Sequence, residues 1–408
     1  MRKSLYFLGL ALMTSTACHA GPAPEGNKAD APAPAPKAAG TGASADDGGF
    51  RESADRPFIA TPVATFDEPW AMTFIAGGSW ALVTERKGKL ILLDTRNGST
   101  HEVSGTPPVD YGGQGGFGDV VAAPDPDPTD KIHPVYLSWA EAGTGDMRGA
   151  VVARANLTIN NMADQLGALG DLHIIWRQVP KVTGRGHYSH RIIVAPDGQH
   201  IFISSGERQK FDPAQDRKSN LGKIVRLNLD GSIPADNPFA KEGGITAQIW
   251  SLGQRNALGL AFDRQGRLWE NEMGPKGGDE VNLIERGGNY GYPKVSNGSH
   301  YDGRDIPDHA PGDGFIAPKA WWNPSISPGG MAYYDGALFP QWKDSLLIGA
   351  LSGEALIRLK IEGDGVTKAD HWPMKARIRE VKTGPDGALW LLEDGANGRL
   401  LKLTPAPK

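Results

Sequence analysis

Apolar positions along the chain come in short bursts separated by turn residues. Trp80-Ala81-Leu82-Val83-Thr84 passes through Lys87-Gly88 to Leu90-Ile91-Leu92-Leu93, and Val135-Tyr136-Leu137-Ser138 follows a Pro/Asp-rich loop. Pro196-Asp197-Gly198 precedes Ile201-Phe202-Ile203-Ser204, and Arg264-Gln265-Gly266 precedes Leu268-Trp269. Ser345-Leu346-Leu347-Ile348 leads to Leu356-Ile357-Arg358-Leu359. Pro385-Asp386-Gly387 leads to Leu389-Trp390-Leu391-Leu392, then Gly398 and Leu400-Leu401-Lys402-Leu403. Apolar runs of this length, bounded by Gly, Pro and Asp, predict strands. Helical periodicity is weak. The strongest helix-like stretch, near Met162–Leu169, is short and is placed in a connection. The texture is uniform over residues 55–406, which predicts one all-β domain of repeated turn–strand units, a propeller. Roughly 350 residues in six units gives roughly 58 each, a little above the ~40–45 of a minimal four-stranded blade. The expected architecture is a six-bladed β-propeller of four-stranded antiparallel blades, although the repeat alone leaves the count open by one. Sites in such a fold gather at one mouth of the central channel, on loops just outside strands.

Composition narrows the function. Of 408 residues, 39% are hydrophobic, enough for a large core, and 54 Gly with 31 Pro supply frequent turns. A formal net charge of −4 lacks the basic excess of a nucleic-acid binder. The single cysteine, Cys18, excludes an intrachain disulfide, a cysteine zinc site and a CxxCH-attached haem. A redox enzyme built this way passes its electrons to an external acceptor, a quinone or a cytochrome. Residues 1–20 read as a bacterial export signal: Arg2 and Lys3 precede an apolar run, Leu5–Met13, too short to span a membrane. Processing either follows Ala20 or falls between Ala17 and Cys18 with lipidation of Cys18. Residues 21–50, rich in Ala, Pro, Gly and Lys, read as a disordered tether. A tether favours the lipidated route, giving an outer-membrane-anchored rather than a freely periplasmic protein.

Six stretches carry the chemistry: Tyr111-Gly112-Gly113-Gln114-Gly115-Gly116; His187-Tyr188-Ser189-His190-Arg191; Asn220 to Asn228; Ser251-Leu252-Gly253-Gln254-Arg255-Asn256; Met273 to Glu280 with Gly288-Asn289-Tyr290-Gly291-Tyr292-Pro293; and Arg377-Ile378-Arg379-Glu380. In order and spacing they resemble the soluble aldose and glucose dehydrogenases that use pyrroloquinoline quinone (PQQ), from about Pro69 to Leu403. The resemblance implies oxidation of aldoses to lactones, with PQQ and Ca²⁺ as cofactors.

Residue types agree with that chemistry. Alcohol oxidation by hydride transfer needs a base for the hydroxyl proton, and histidine has the right unperturbed pKa; the resemblance makes His187 that base, although a lone loop histidine is more often structural. PQQ carries three carboxylates, which guanidinium groups match in a planar fork. The resemblance assigns Arg255 to the quinone edge, where a cation stabilises developing charge, Asn256 to the ring, and Arg377 and Arg379 to the cofactor face and a carboxylate. Alternation along a strand also puts the last two on one ordinary solvated face. Calcium takes oxygen ligands. The resemblance gives the main-chain carbonyls of Gly274 and Pro275 to the PQQ-bound ion, and Asp279, Glu280 and Tyr290 to a second calcium. Gln114 is implied to bind sugar hydroxyls, and Trp321 and Trp322 to form an aromatic wall or else core.

Three positions depart from the pattern. His190 stands where glycine is usual and would crowd the cofactor, tune His187 or point away. Ser352 stands where a cofactor-contacting lysine is usual, leaving Arg185 or Lys181 to replace the charge. Gly186 precedes His187 in place of the aspartate of the glucose-oxidising branch, which favours broad aldose specificity. Two further readings stay open: a calcium-dependent propeller hydrolase of the lactonase kind, and a non-enzymatic propeller that binds sugar or protein.

Overall fold

A computed structural model describes Ser53 and residues 55–407, apart from 126, 128 and 161–165. The export signal, the tether and Cys18 lie outside the described residues. The described chain is all-β. Strands follow one another in antiparallel runs of four, each strand beside its predecessor. The first run is Pro69–Ile75, Trp80–Glu85, Lys89–Asp94 and Thr100–Ser104; the second is Phe117–Ala122, Ile132–Ala142, Arg148–Ile159 and Gly167–Arg177. Their last strands pair in parallel, Val103 opposite Gly167, which fuses both runs into one eight-stranded sheet. The third is Ser189–Val194, His200–Ser205, Lys223–Asn228 and Ile249–Leu252; the fourth is Ala257–Phe262, Leu268–Glu272, Asp279–Ile284 and Ala320–Trp322. The fifth is Pro328–Tyr334, Ser345–Ala350, Ala355–Glu362 and Gly365–Pro373. The sixth takes Ile378–Thr383, Leu389–Glu393 and Gly398–Pro405, and is completed by the first strand of the chain, Phe58–Phe66, which pairs with Gly398–Pro405. Every apolar burst named above falls in a strand. Of the helix-like stretch, residues 162–165 lie outside the described residues, and residues 167–169 are not helical but begin the strand Gly167–Arg177. Ala168 and Leu169 pair there with Thr158 and Leu157, and cross-strand pairing overrides a weak local helical preference.

Strand alternation explains where the core lies. Leu82 points into a cluster shared by runs one and two, with Leu137 and Val151, whereas Ala81 and Val83 point into a cluster shared by runs six and one, with Leu392 and Leu400. Likewise Leu389 and Leu391 pack toward run five, and Trp390 and Leu392 toward run one. Both faces of these strands are buried, so they read as continuous apolar bursts rather than as alternating ones.

The first strands of the six runs pack each against the next, and the sixth against the first. Arg191, on the first strand of run three, is 4% exposed and lies where they meet. Its Nε donates to Leu258 O at 2.7 Å and its Nη1 to Asp119 and Glu380, while its guanidinium carbon lies 4.0 Å from the Trp70 ring centroid. Asp119 also accepts from the Ile192 N–H at 2.8 Å. Gly330 makes room for Glu380: a Cβ there would fall 2.3 Å from Glu380 Oε1. Those residues lie on the first strands of all six runs. Removing one partner of a buried ion pair strands the other and costs about 3–5 kcal/mol. Arg191→Met will therefore lower the unfolding free energy by about that amount in urea titration, and Arg191→Met/Glu380→Gln will recover part of it. A double variant no more stable than the single one would count against the pairing.

Candidate active site

Just before and after these first strands the chain makes tight, polar turns. His187 ends the turn 184–187 with φ +46°, in the left-handed region. Gly206 permits its approach to the facing turn, since a Cβ there would sit 2.0 Å from His187 O. The His187 main-chain N–H donates to Gln114 Oε1 at 2.7 Å, and its Nδ1 lies 2.5 Å from Glu207 Oε1. A carboxylate only accepts, so Nδ1 carries hydrogen and the neutral ring keeps Nε2 as its basic nitrogen. Glu207 is fully buried, and its other oxygen accepts from the N–H groups of Lys210 and Phe211. Burial pushes the Glu207 carboxyl up, but the His187 hydrogen bond and the His187 and Arg255 charges outweigh it and hold it below its ordinary value.

Gln114 sits in a braced loop. Arg86 donates to Gly113 O and Gly115 O, Tyr111 Oη lies 2.9 Å from both Glu68 oxygens, and Arg185 bonds Tyr111 O at 3.0 Å and Asp110 at 2.9 Å. Arg255, 4% exposed, donates through Nη1 to Met273 O at 2.8 Å and Gly274 O at 2.5 Å; its buried Nε has no protein partner. The Arg255 O accepts from the Glu207 N–H at 2.9 Å, which joins this arginine to the His187 pair. Asn256 Oδ1 accepts from Ser189 Oγ at 3.1 Å, and Glu272 accepts the N–H groups of both Arg255 and Asn256. Arg377 and Arg379 donate through Nε to the two oxygens of Asp394 at 2.8 and 2.9 Å. Burial pushes Asp394 up, but those two guanidiniums bring it down to about 2. Arg86 lies close enough to Arg379 to repel its charge, which ties this clamp to the Gln114 loop.

A cleft lined by Arg255, Glu272, Gly274, Pro275, Glu280 and Tyr292 lies beside this rim. Its anionic and carbonyl oxygens suit a hard cation. Among the described residues no three His, Cys, Asp or Glu side chains form a ready cage, so main-chain carbonyls and ligand oxygens would complete the coordination. The partnerless Arg255 Nε and the two arginines on Asp394 suit a polycarboxylate.

Other predicted site residues are engaged within the protein's own structure. Trp322 is fully buried between runs four and five with Trp269 and Ile348, so it is core and not a substrate wall; half-buried Trp321 lies on the last strand of run four. Asp279 accepts the N–H groups of Gly274, Ile326 and Ser327, which makes it a brace for the Gly274 loop. Tyr290 lines the cleft with Glu280, but its Oη is engaged: it donates to Leu283 O at 2.6 Å and accepts from the Glu285 N–H. Side-chain chemistry of the second calcium set thus rests on Glu280. His190 points away from the cleft. It stacks on Trp70 with centroids 5.2 Å apart, its Nδ1 lies 2.8 Å from Ser138 Oγ, and burial with the Arg191 charge lowers it to about 3. Gly118 admits it, since a Cβ there would lie 1.8 Å from His190 Cε1. Ser352 Oγ lies 2.8 Å from Ser327 Oγ. Lys181 pairs with Glu141 and Arg185 with Asp110, so both are already engaged. Glu207, Glu272 and Asp394 were missed by sequence reasoning; no spacing rule joins them to the residues they hold.

Fold and site together define an all-β dehydrogenase with a histidine–carboxylate pair beside an arginine- and oxygen-lined cleft. The chain belongs to the glucose/sorbosone dehydrogenase family, whose profile matches residues 66–402. It is 39% identical over 345 residues to the Escherichia coli aldose sugar dehydrogenase YliI, covering 83% of this chain and 90% of that one. The crystal structure of the apo-form of the soluble E. coli aldose sugar dehydrogenase superposes with a TM-score of 0.78 at 37% identity, covering 86% of this chain and 100% of that one. The PQQ-bound aldose sugar dehydrogenase of Streptomyces coelicolor gives 0.70 at 27% identity, covering 87% and 99%. Among the described residues no helix is long and apolar enough to cross a membrane.

Burial pushes Glu272 and Asp279 up to about 7, only partly opposed by the main-chain N–H groups that each accepts. A carboxyl raised in the folded state holds more protons folded than unfolded between its two pKa values, so stability falls as pH rises through that window. Metal-free protein will lose stability from the ordinary carboxylate range up to about pH 7. Glu272→Gln will flatten the fall in denaturant titrations across pH. An unaltered slope in that variant would refute the assignment.

Proposed function

We propose that the protein oxidises aldose sugars to lactones with PQQ and calcium, and that its six four-stranded runs are the blades of a six-bladed propeller. The observation that carries this reading is the His187–Glu207 pair, joined through the Arg255 carbonyl to a guanidinium lying on Gly274 O. When bound, PQQ with its calcium would supply the two-electron acceptor for the hydride. Arg255, Asn256, Arg377 and Arg379 would hold it, with Gly274 O and Pro275 O for the ion and Glu280 for a second calcium. Gln114, whose side-chain carbonyl oxygen accepts the His187 N–H, would offer its amide N–H to the sugar.

His187 Nε2 takes the proton of the anomeric hydroxyl as the C–H bond loses its hydride. Glu207 keeps the ring in the required tautomer and stabilises the imidazolium that forms, as a buried carboxylate does for a catalytic histidine. Arg255 would stabilise the negative charge that a bound acceptor gains. Electrons then leave to an external acceptor, a quinone or a cytochrome. Export to the periplasm, with lipidation of Cys18, completes this reading.

The test is reconstitution of the chain from residue 50 onward with PQQ and calcium, followed by dye reduction with a panel of aldoses. Activity will require both additions and will vanish on chelation. His187→Ala will lower kcat by about 10²–10⁴, and Glu207→Gln by about 10², because an amide donor facing Nδ1 favours the wrong tautomer. Absence of a PQQ-dependent signal together with lactone hydrolysis would favour the hydrolase reading. Sugar binding without turnover would favour the binding one.

A further inference from the structure

The residue after Glu207 is a buried cation with an unusual set of partners. Arg208 is 1% exposed, yet no carboxylate among the described residues lies within ion-pair distance of it. Its three guanidinium nitrogens reach different main-chain carbonyls: Nε donates to Gly186 O at 2.8 Å, Nη2 to Gly184 O at 2.6 Å and Nη1 to Arg148 O at 2.8 Å. Its guanidinium carbon lies 3.7 Å from the centroid of the buried Tyr188 ring, a cation–π contact. Its own N–H donates to His187 O at 3.3 Å.

Two of these carbonyls belong to the turn that delivers His187. That turn holds Gly184, at φ +92°, and Gly186, and glycine fixes backbone least. His187 then adopts φ +46°, a conformation disfavoured for a residue with a Cβ. Such a conformation persists only where surrounding structure over-determines it. Glu207 fixes the ring, and Gln114 fixes the His187 N–H and, through its own N–H, Arg185 O at 2.8 Å, but neither holds the flanking carbonyls of Gly184 and Gly186. The planar, three-pronged guanidinium does. Lysine has one nitrogen on a flexible stem and cannot span Gly184, Gly186 and Arg148 together.

We propose that Arg208 is a positioning residue for His187, a buried guanidinium clamp that sets the catalytic turn without touching sugar or cofactor. The role in turnover rests on His187 being the base, but the clamp itself does not.

The test uses Arg208→Lys and Arg208→Gln in the full chain. In cofactor-free protein labelled with ¹⁵N-histidine, the His187 Nδ1–H signal, assigned by its absence in His187→Gln, will be sharp in wild type and shifted or lost in both variants. After reconstitution kcat will fall by about 10²-fold, as for a misplaced catalytic group, while sugar KM and the PQQ titration stay within about threefold. A merely structural arginine would lower Tm and leave the imidazole signal and kcat of the folded fraction intact, which would overturn the proposal. Were neither variant to fold, hydrogen–deuterium exchange of residues 183–190 in wild type decides: slow exchange supports the clamp, and exchange at the rate of an open loop overturns it. If wild type shows no PQQ-dependent oxidation, the proposed function fails, and the imidazole signal still decides on Arg208.

Discussion

The buried charge of Arg191 is the constraint around which the described structure is arranged. A guanidinium 4% exposed needs compensating partners, and here carboxylates, a carbonyl and an aromatic face from neighbouring strands converge on Nε, Nη1 and the guanidinium plane, while Nη2 is without a hydrogen-bond partner. Hydrophobic packing between adjacent runs is non-directional and would tolerate small rotations of one run against the next. Hydrogen bonds to one central cation would not. The directional contacts therefore fix the inner strands, and with them the segments at their ends where His187, Arg255 and Arg377 lie.

The rim is organised by acids that each hold something specific. Glu207 holds an imidazole and two N–H groups, Glu272 the main chain at Arg255 and Asn256, Asp279 the Gly274 loop, and Asp394 a pair of guanidiniums. Glu207, Glu272 and Asp279 are buried and Asp394 is half-buried, and their protonation tendencies diverge with what they face. Asp394 is drawn down by two cations, whereas Glu272, bonded only to neutral amides, is driven up. Carboxylates of one chemical type thus serve as a permanent counter-ion in one place and are driven towards the protonated form by burial in another.

Departures from the family pattern take on separate meanings in three dimensions. His190 is a core residue, neutral and stacked, with Gly118 as its complement across the strands. Ser352 bonds Ser327, whose N–H Asp279 accepts, and Lys181 and Arg185 are paired with Glu141 and Asp110. Gly186 takes part in the turn held by Arg208, so its lack of a side chain belongs to the geometry of the turn as well as to substrate choice. A Cβ there would sit 2.4 Å from Gln209 Cδ.

By itself the sequence determined that the chain is built from short apolar strands between turns, and which short stretches carry the candidate site residues. Strand periodicity is local, and the histidine, arginine and glycine-rich turns stand in short contiguous stretches. Tertiary structure alone decided the rest. Trp322 looked equally suited to a sugar wall or a core, and only its burial between two runs settled it. Residues 167–169 looked helical until the neighbouring strand claimed them. Glu207, Asp394 and Arg208 are ordinary polar residues in sequence; their importance comes from meeting His187, Arg377 and the 184–186 carbonyls across the fold. Burial and hydrogen-bond partnership are properties of the packed chain, and no single stretch of sequence carries them.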